Sequence, residues 1–214
     1  MSSKTVVFDL DDTLALELDY LKSAYREIAN TVDPENAELY PFLLDAYQKK
    51  DNPFGQLCSL YPEYTVAALL RLYRNHVPTY PENTCKSFLM ELKANGYKLG
   101  LVTDGYSITQ RNKLKALGIE ELFDLVVISE EFGSAKPSVA NFAVFHQFNT
   151  DVYYYIADNP AKDFVSPNVL GWQTICLIDA GNNIHKQDFN KESLYLPRMT
   201  IDTLEQVFPI LFHI

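Results

Sequence analysis

Two aspartates one residue apart, Asp9 and Asp11 in Phe8-Asp9-Leu10-Asp11-Asp12-Thr13-Leu14, stand where the apolar run Thr5-Val6-Val7 gives out. Past a strand's end the backbone must turn, so both carboxylates can converge on one point, and Thr13 is placed to tie that turn back to the backbone. Carboxylates this close repel unless a cation or a proton sits between them. Hard oxygen ligands of this kind suit Mg²⁺. The plainer reading is turn formation or helix capping.

Three later segments add the groups that such a site lacks. The run Tyr97-Lys98-Leu99-Gly100-Leu101-Val102 ends in Thr103-Asp104-Gly105, ahead of a helix-like stretch from Ser107 to Leu117. Thr103 offers a hydroxyl, and the N–H groups after it can face an anion at the helix start; ordinary capping by Thr103 or Asp104 is the competing account. A strand-like run from Leu122 to Ile128 leads to Gly133-Ser134-Ala135-Lys136-Pro137-Ser138, whose proline fixes the chain beside one ammonium. Another, Asp151 to Ala157, closes on Asp158-Asn159-Pro160-Ala161-Lys162-Asp163, with two carboxylates across a turn that Asn-Pro initiates. Each is unremarkable alone; their order is not.

Together the four segments resemble the haloacid dehalogenase-like (HAD) superfamily, specifically its phosphatases. The resemblance implies Asp9 as nucleophile, Asp11 as general acid and base, Thr103 with Asp104 at the phosphoryl group, and Lys136 offsetting charge. It implies Mg²⁺ held by Asp9, Asp11 and Asp158, with Asp163 either a further ligand or the group that orients a ligand or water. Two departures, Ala157 where the family often has glycine and Ser138 where aspartate commonly follows Lys-Pro, remove no reacting group.

The chemistry is coherent in its own right. A carboxylate nucleophile splits one hard displacement into two easier ones through an aspartyl phosphate. Attack on a phosphomonoester dianion needs its charge neutralised, a task for a metal, Lys136 and backbone N–H groups together. A leaving alkoxide needs a proton, and water must later lose one. One carboxyl beside Asp9 can serve both steps.

The elements that must position these groups follow from the apolar runs near residues 4–9, 97–103, 122–128, 151–157 and 172–178, separated mostly by helix-period segments. Such alternation predicts an α/β fold, a Rossmann-like parallel sheet between helices. Sites in these sheets lie beyond the strands' carboxyl ends, at the switch in strand order. Residues 14–80 interrupt the pattern with about four helical segments: Glu17 to Asn30, Pro34 to about Lys50, a break at Asp51-Asn52-Pro53, and Thr65 to Asn75. The expected organisation is a core of 1–13 and 81–214 and a helical cap of 14–80 that closes over the site. Its aromatics, Tyr20, Tyr25, Tyr47 and Phe54 among them, are expected mainly to pack the cap itself. Lys22 and Arg26 share a helix face, and pairing with acidic neighbours accounts for them.

With 214 residues, 47% of them hydrophobic, the chain can bury one good core and carry a small insertion. A net charge of −10 argues against a nucleic-acid polymer as partner, though not against a mononucleotide. No basic leader precedes the first strand, no run has the length of a membrane helix, and Cys58, Cys85 and Cys176 are widely spaced. A cytoplasmic setting with reduced thiols is expected. The four histidines, His76, His146, His185 and His213, show no ligand spacing and read as structural or exposed.

The function expected is Mg²⁺-dependent hydrolysis of a small phosphomonoester, a sugar phosphate or nucleoside monophosphate. Asp11 argues against dehalogenation, where no alkoxide needs a proton. A phosphosugar mutase stands as the alternative, though no histidine lies between residues 14 and 75. A phosphonate-cleaving relative needs a cap lysine that forms a Schiff base, with Lys22, Lys49 and Lys50 only nominal. A phospho-accepting signalling or binding domain shares strand-end acids, but not the Asp-x-Asp-x-Thr spacing or the insertion.

Overall fold

The computed structural model describes residues 3–81 and 85–212. Its centre is a six-stranded, wholly parallel sheet: β1 (Lys4–Phe8), β2 (Lys98–Thr103), β3 (Leu125–Ile128), β4 (Val152–Ala157), β5 (Gln173–Leu177) and β6 (Met199–Ile201), in spatial order β3-β2-β1-β4-β5-β6. Order reverses between β1 and β4, and there the crevice of a doubly wound sheet opens. Five strands match the apolar runs. β6 has no counterpart among them, because three residues on a sheet edge leave too short a pattern to read. The run from Leu122 also starts late as a strand, since Glu120–Leu122 is a 3₁₀ turn.

Side chains alternate across a strand, and both faces of this sheet are covered. Val6, Phe8, Leu99, Leu101, Tyr154 and Ile156 pack with Phe88, Leu89 and Leu92 of a helix at Cys85–Ala94, and with Val207 and Leu211 near the chain's end. On the opposite face Val7, Val102, Tyr155 and Ala157 meet Phe142, Phe145, Phe164 and Trp172. Gly100 is required here: a Cβ on it would lie 2.2 Å from Cε1 of Phe145.

Between β1 and the helix at Cys85 lie α1 (Glu17–Val32), α2 (Leu39–Gln48), α3 (Pro53–Leu60) and α4 (Val66–Asn75). Buried Leu21, Tyr25, Ile28 and Ala29 form a helical stripe on α1 that packs with Leu39, Leu43, Phe54, Leu57 and Leu69, an apolar cluster separate from the sheet's. Asn52 and Thr65 cap α3 and α4 by accepting from Gly55 N and Ala68 N, and Pro53 fills the first turn of α3. Pro34 does not open α2. The side chains of Asp33 and Asn36 accept from the N–H groups of Glu35 and Glu38, so short polar turns occupy that stretch and the helix starts at Leu39. No helix of the described residues is long and apolar enough to cross a membrane.

Candidate active site

The loop after β1 is a tight turn in which Leu10 O accepts from Leu14 and Ala15, and Asp12 N–H donates to Ala15 O. Thr13 does not tie it. Its hydroxyl is buried without a partner, and the fastening falls to Asp12, whose Oδ1 accepts from Glu17 N at 2.9 Å and Oδ2 from Ile184 N at 3.2 Å. Asp12 takes a positive φ of 56°, which aspartate tolerates better than most residues. The turn therefore both starts α1 and anchors the segment after β5.

Asp9 continues the sheet ladder, its N–H donating to Ile156 O. Its Oδ1 accepts from Leu10 N at 2.8 Å and lies 2.8 Å from the Lys136 ammonium. Lys136 Nζ also meets Asp163 Oδ1 at 2.7 Å. Asp163 is fully buried, with Oδ2 accepting from Asn159 N and Oδ1 from the Tyr155 hydroxyl. Asp158 presents its carboxylate beside them, with Oδ2 held by Asn183 Nδ2 at 3.0 Å. One oxygen from each of Asp9, Asp158 and Asp163 lies within 4.8 Å of the others, and all three residues are buried. The fold thus brings the ends of β1 and β4 together across the switch point.

Three carboxylates around one ammonium leave excess negative charge. Burial raises Asp158 to about 8, with Asp9 adding to it. Burial likewise raises Asp9 to about 6, although Lys136 opposes the shift. Lys136 itself is pushed well above the usual lysine value: desolvation works against its charge, but Asp163 and Asp9 outweigh it. Hard oxygen donors, crowded and short of positive charge, are a fitting cradle for a divalent cation such as Mg²⁺.

Asp11 is placed differently. Its carboxylate is outside that triad: Oδ1 pairs with Lys113 Nζ at 2.6 Å and Oδ2 accepts from Gln110 Nε2 at 2.9 Å. Both donors are buried and sit three residues apart on α6, the Cys85–Ala94 helix being α5 and Ser107–Leu117 α6. Lys113 Nζ also meets Glu17 Oε2 at 3.0 Å and lies over the Tyr20 ring. Burial pushes Asp11 up, but the Lys113 ammonium and the two hydrogen bonds prevail and hold it below its ordinary value. Glu17 goes the other way, raised to about 8 by burial and by the charge of Asp11. One ammonium thus serves two carboxyls and keeps Asp11 as the anion.

Gln110 Nε2 also donates to Thr103 Oγ1 and to Asp104 O, linking the end of β2 to Asp11. Asp104 braces the lysine loop instead of capping α6: Oδ1 accepts from Lys136 N at 3.0 Å and Oδ2 pairs with Lys162 at 3.0 Å. Of the N–H groups after Thr103, that of Gly105 donates to Ser129 Oγ and that of Ser107 to Glu130.

A cleft of about 370 Å³ opens over these groups. Asp9, Asp11, Asp104 and Asp158 lie on its wall, whereas Thr103, Lys136 and Asp163 are not part of that lining. Glu17, Leu21, Tyr47 and Tyr73 are contributed by α1, α2 and α4; Lys162, Ile184 and His185 complete the lining. His185 is therefore a cleft residue and not merely a scattered one, whereas His76 is buried against Ser23 and Glu27. His213 lies outside the described residues. Arg26 finds Tyr40, not an acidic partner.

The sequence model of haloacid dehalogenase-like hydrolases matches residues 6–176. The chain belongs to that family. It is a hydrolase, as the strand-end motifs led us to expect. A glyceraldehyde 3-phosphate phosphatase of Methanocaldococcus jannaschii is 31% identical over 82% of this chain and 85% of its own length. The pyrophosphatase PpaX of Bacillus cereus is 29% identical over 64% of each chain. Among solved structures, the HAD-hydrolase YfnB of Bacillus subtilis bound to magnesium superposes with a TM-score of 0.71, at 20% identity, over 99% of this chain and 100% of its own. That likeness supports the fold.

Proposed function

We propose that this hydrolase cleaves small phosphomonoesters, with Mg²⁺ as cofactor and Asp9 as the group that becomes phosphorylated. The observation that carries the reading is the buried cluster in which Asp9 touches Lys136 and lies within 4.8 Å of Asp158 and Asp163. The relative named as a glyceraldehyde 3-phosphate phosphatase agrees with it.

Asp9, Asp158 and Asp163 would hold the metal, which supplies positive charge to the transferring phosphoryl group. Both bonds to Asp9 fall on Oδ1, so Oδ2 is the oxygen assigned to attack. Lys136 holds Asp9 in place and offsets charge as it builds. Thr103 Oγ1 already accepts from Gln110, so its own hydrogen is the one it can give to a phosphoryl oxygen. Asp11, the anion at rest, is assigned the proton taken from water as the aspartyl phosphate opens, and the carboxyl so formed is the one that protonates a leaving alkoxide. Its carboxylate is not one of the three that make up the metal cradle.

Residues 14–80 are assigned the role of a cap. Its helices carry their own apolar cluster and lend the cleft four wall residues, so closing them excludes water from the reaction. Hydrolysis is preferred to phosphosugar transfer because His76 is spent on Ser23 and Glu27. Phosphate release from a panel of sugar phosphates and nucleoside monophosphates, with and without Mg²⁺, tests the proposal. Release that needs the metal and vanishes in Asp9→Asn is expected; full turnover in that variant would refute the mechanism.

A further inference from the structure

We propose that the alcohol half of the substrate is uncharged: a polyol, an aldose or a nucleoside, and not a hydroxy acid or a second phosphate. The inference rests on the phosphatase reading above and concerns the other end of the same cleft.

Positive charge in the site is gathered at the phosphate end. Lys136 stands on Asp9 and Asp163, and Lys162 pairs with Asp104 beside them. The wall built by α1, α2 and α4 has none: it consists of Glu17, Leu21, Tyr47 and Tyr73. Lys22 and Arg26, the cations that α1 could have offered, are not on it. Lys113, the nearest ammonium to Glu17, is 2% exposed and already holds two carboxyls. His185, the other basic side chain on the lining, is offset by the Asp12 carboxylate.

A carboxylate or phosphate on the leaving group would lose water there and gain no ion pair, while meeting Glu17, Asp11 and Asp12. Whether Glu17 carries a charge or a proton, it supplies no cation. An uncharged polyol fits the same wall. Leu21 and the two tyrosine rings offer apolar contact to the C–H face of a sugar or to a base, and the Tyr47 hydroxyl offers a hydrogen bond.

Matched pairs that differ only in charge test this. We would compare kcat/KM for glycerol 3-phosphate against 3-phosphoglycerate, and for 2-hydroxyethyl phosphate against 2-phosphoglycolate, at saturating Mg²⁺. The neutral member is expected to be favoured at least tenfold in each pair. A second arm uses Tyr47→Lys, which adds a cation to the last turn of α2, where helix ends tolerate one. It should shift the ratio about tenfold toward the acid. Equal rates, or a preference for the acids in the unaltered protein, would overturn the proposal, as would an unchanged ratio in folded Tyr47→Lys. Phosphate release from none of the four compounds or the wider panel would instead overturn the phosphatase reading, and this inference with it.

Discussion

Replacing Lys113 by methionine removes one buried ammonium and leaves Asp11 and Glu17 facing each other. Losing one partner of a buried ion pair costs about 3–5 kcal/mol when the other must stay charged. Here the lower end applies, because Glu17, raised to about 8, already keeps a proton through neutrality. The loss must then depend on pH. In the intact protein Asp11 lies below its ordinary value, so the stability it contributes is present above that value and disappears as pH falls through the depressed one. Without Lys113 its carboxyl rises, the folded state takes up a proton that the unfolded chain does not, and stability falls as pH increases. The gap between the two proteins should widen from about 1 kcal/mol near pH 5 to about 3 kcal/mol near pH 8. For a chain of this length the larger value corresponds to a Tm loss of about 6–12 °C. Urea unfolding at both pH values checks the sign and the size. A loss that is equal at both, or under about 1 kcal/mol at the higher one, would refute the shared-ammonium account. Kinetics give an independent readout: if Lys113 acts through Asp11, turnover should fall more for alkyl phosphates than for aryl phosphates.

Asp11→Asn should slow esters with poor leaving groups most, by roughly a hundredfold or more, because proton donation counts most there; an equal loss for aryl and alkyl phosphates would count against Asp11 as the acid. Asp158 at about 8 and Asp9 at about 6 mean that the metal-free folded protein holds protons which the unfolded chain releases near pH 4, so stability drops as pH rises from about 4 to about 8. Millimolar Mg²⁺ competes with those protons and should raise Tm more near pH 8 than near pH 5. Calorimetry that finds equal gains, or the same gains in Asp158→Asn, would remove Asp158 from the metal site. Gly100→Ala should cost about 1–3 kcal/mol through the clash with Phe145, and Phe145→Leu in the same chain should recover part of it; additive losses by chemical denaturation would argue against the clash.

What the sequence made legible is what strand ends display. Asp9, Thr103, Lys136, Asp158 and Asp163 follow apolar runs, and a parallel sheet aligns those ends at one edge, so reading the runs was enough to gather the residues. The groups that hold Asp11 were beyond such reading. Gln110 and Lys113 lie inside a helix whose polar residues look solvated until the fold buries them; Asn183, which holds Asp158, likewise sits in a loop with no periodic signal. The same helix shows why spacing alone could not reveal them. Thr109 and Asn112 of α6 donate to Arg74 O, Asn75 O and His76 O at the end of α4, whereas Gln110 and Lys113, one residue further on in each case, reach Asp11. Two neighbouring stripes on one helix therefore bind the insertion and the Asp11 carboxylate. Because they turn on a single rigid cylinder, a displacement of α4 that drags Thr109 and Asn112 must also move the donors on Asp11. A shift as small as the difference between a bonded and a broken N–H···O contact is enough to release one of its oxygens. The three-residue repeat of α6 thus meets the insertion and Asp11 from two sides, and Glu17, within the insertion, meets Lys113 directly.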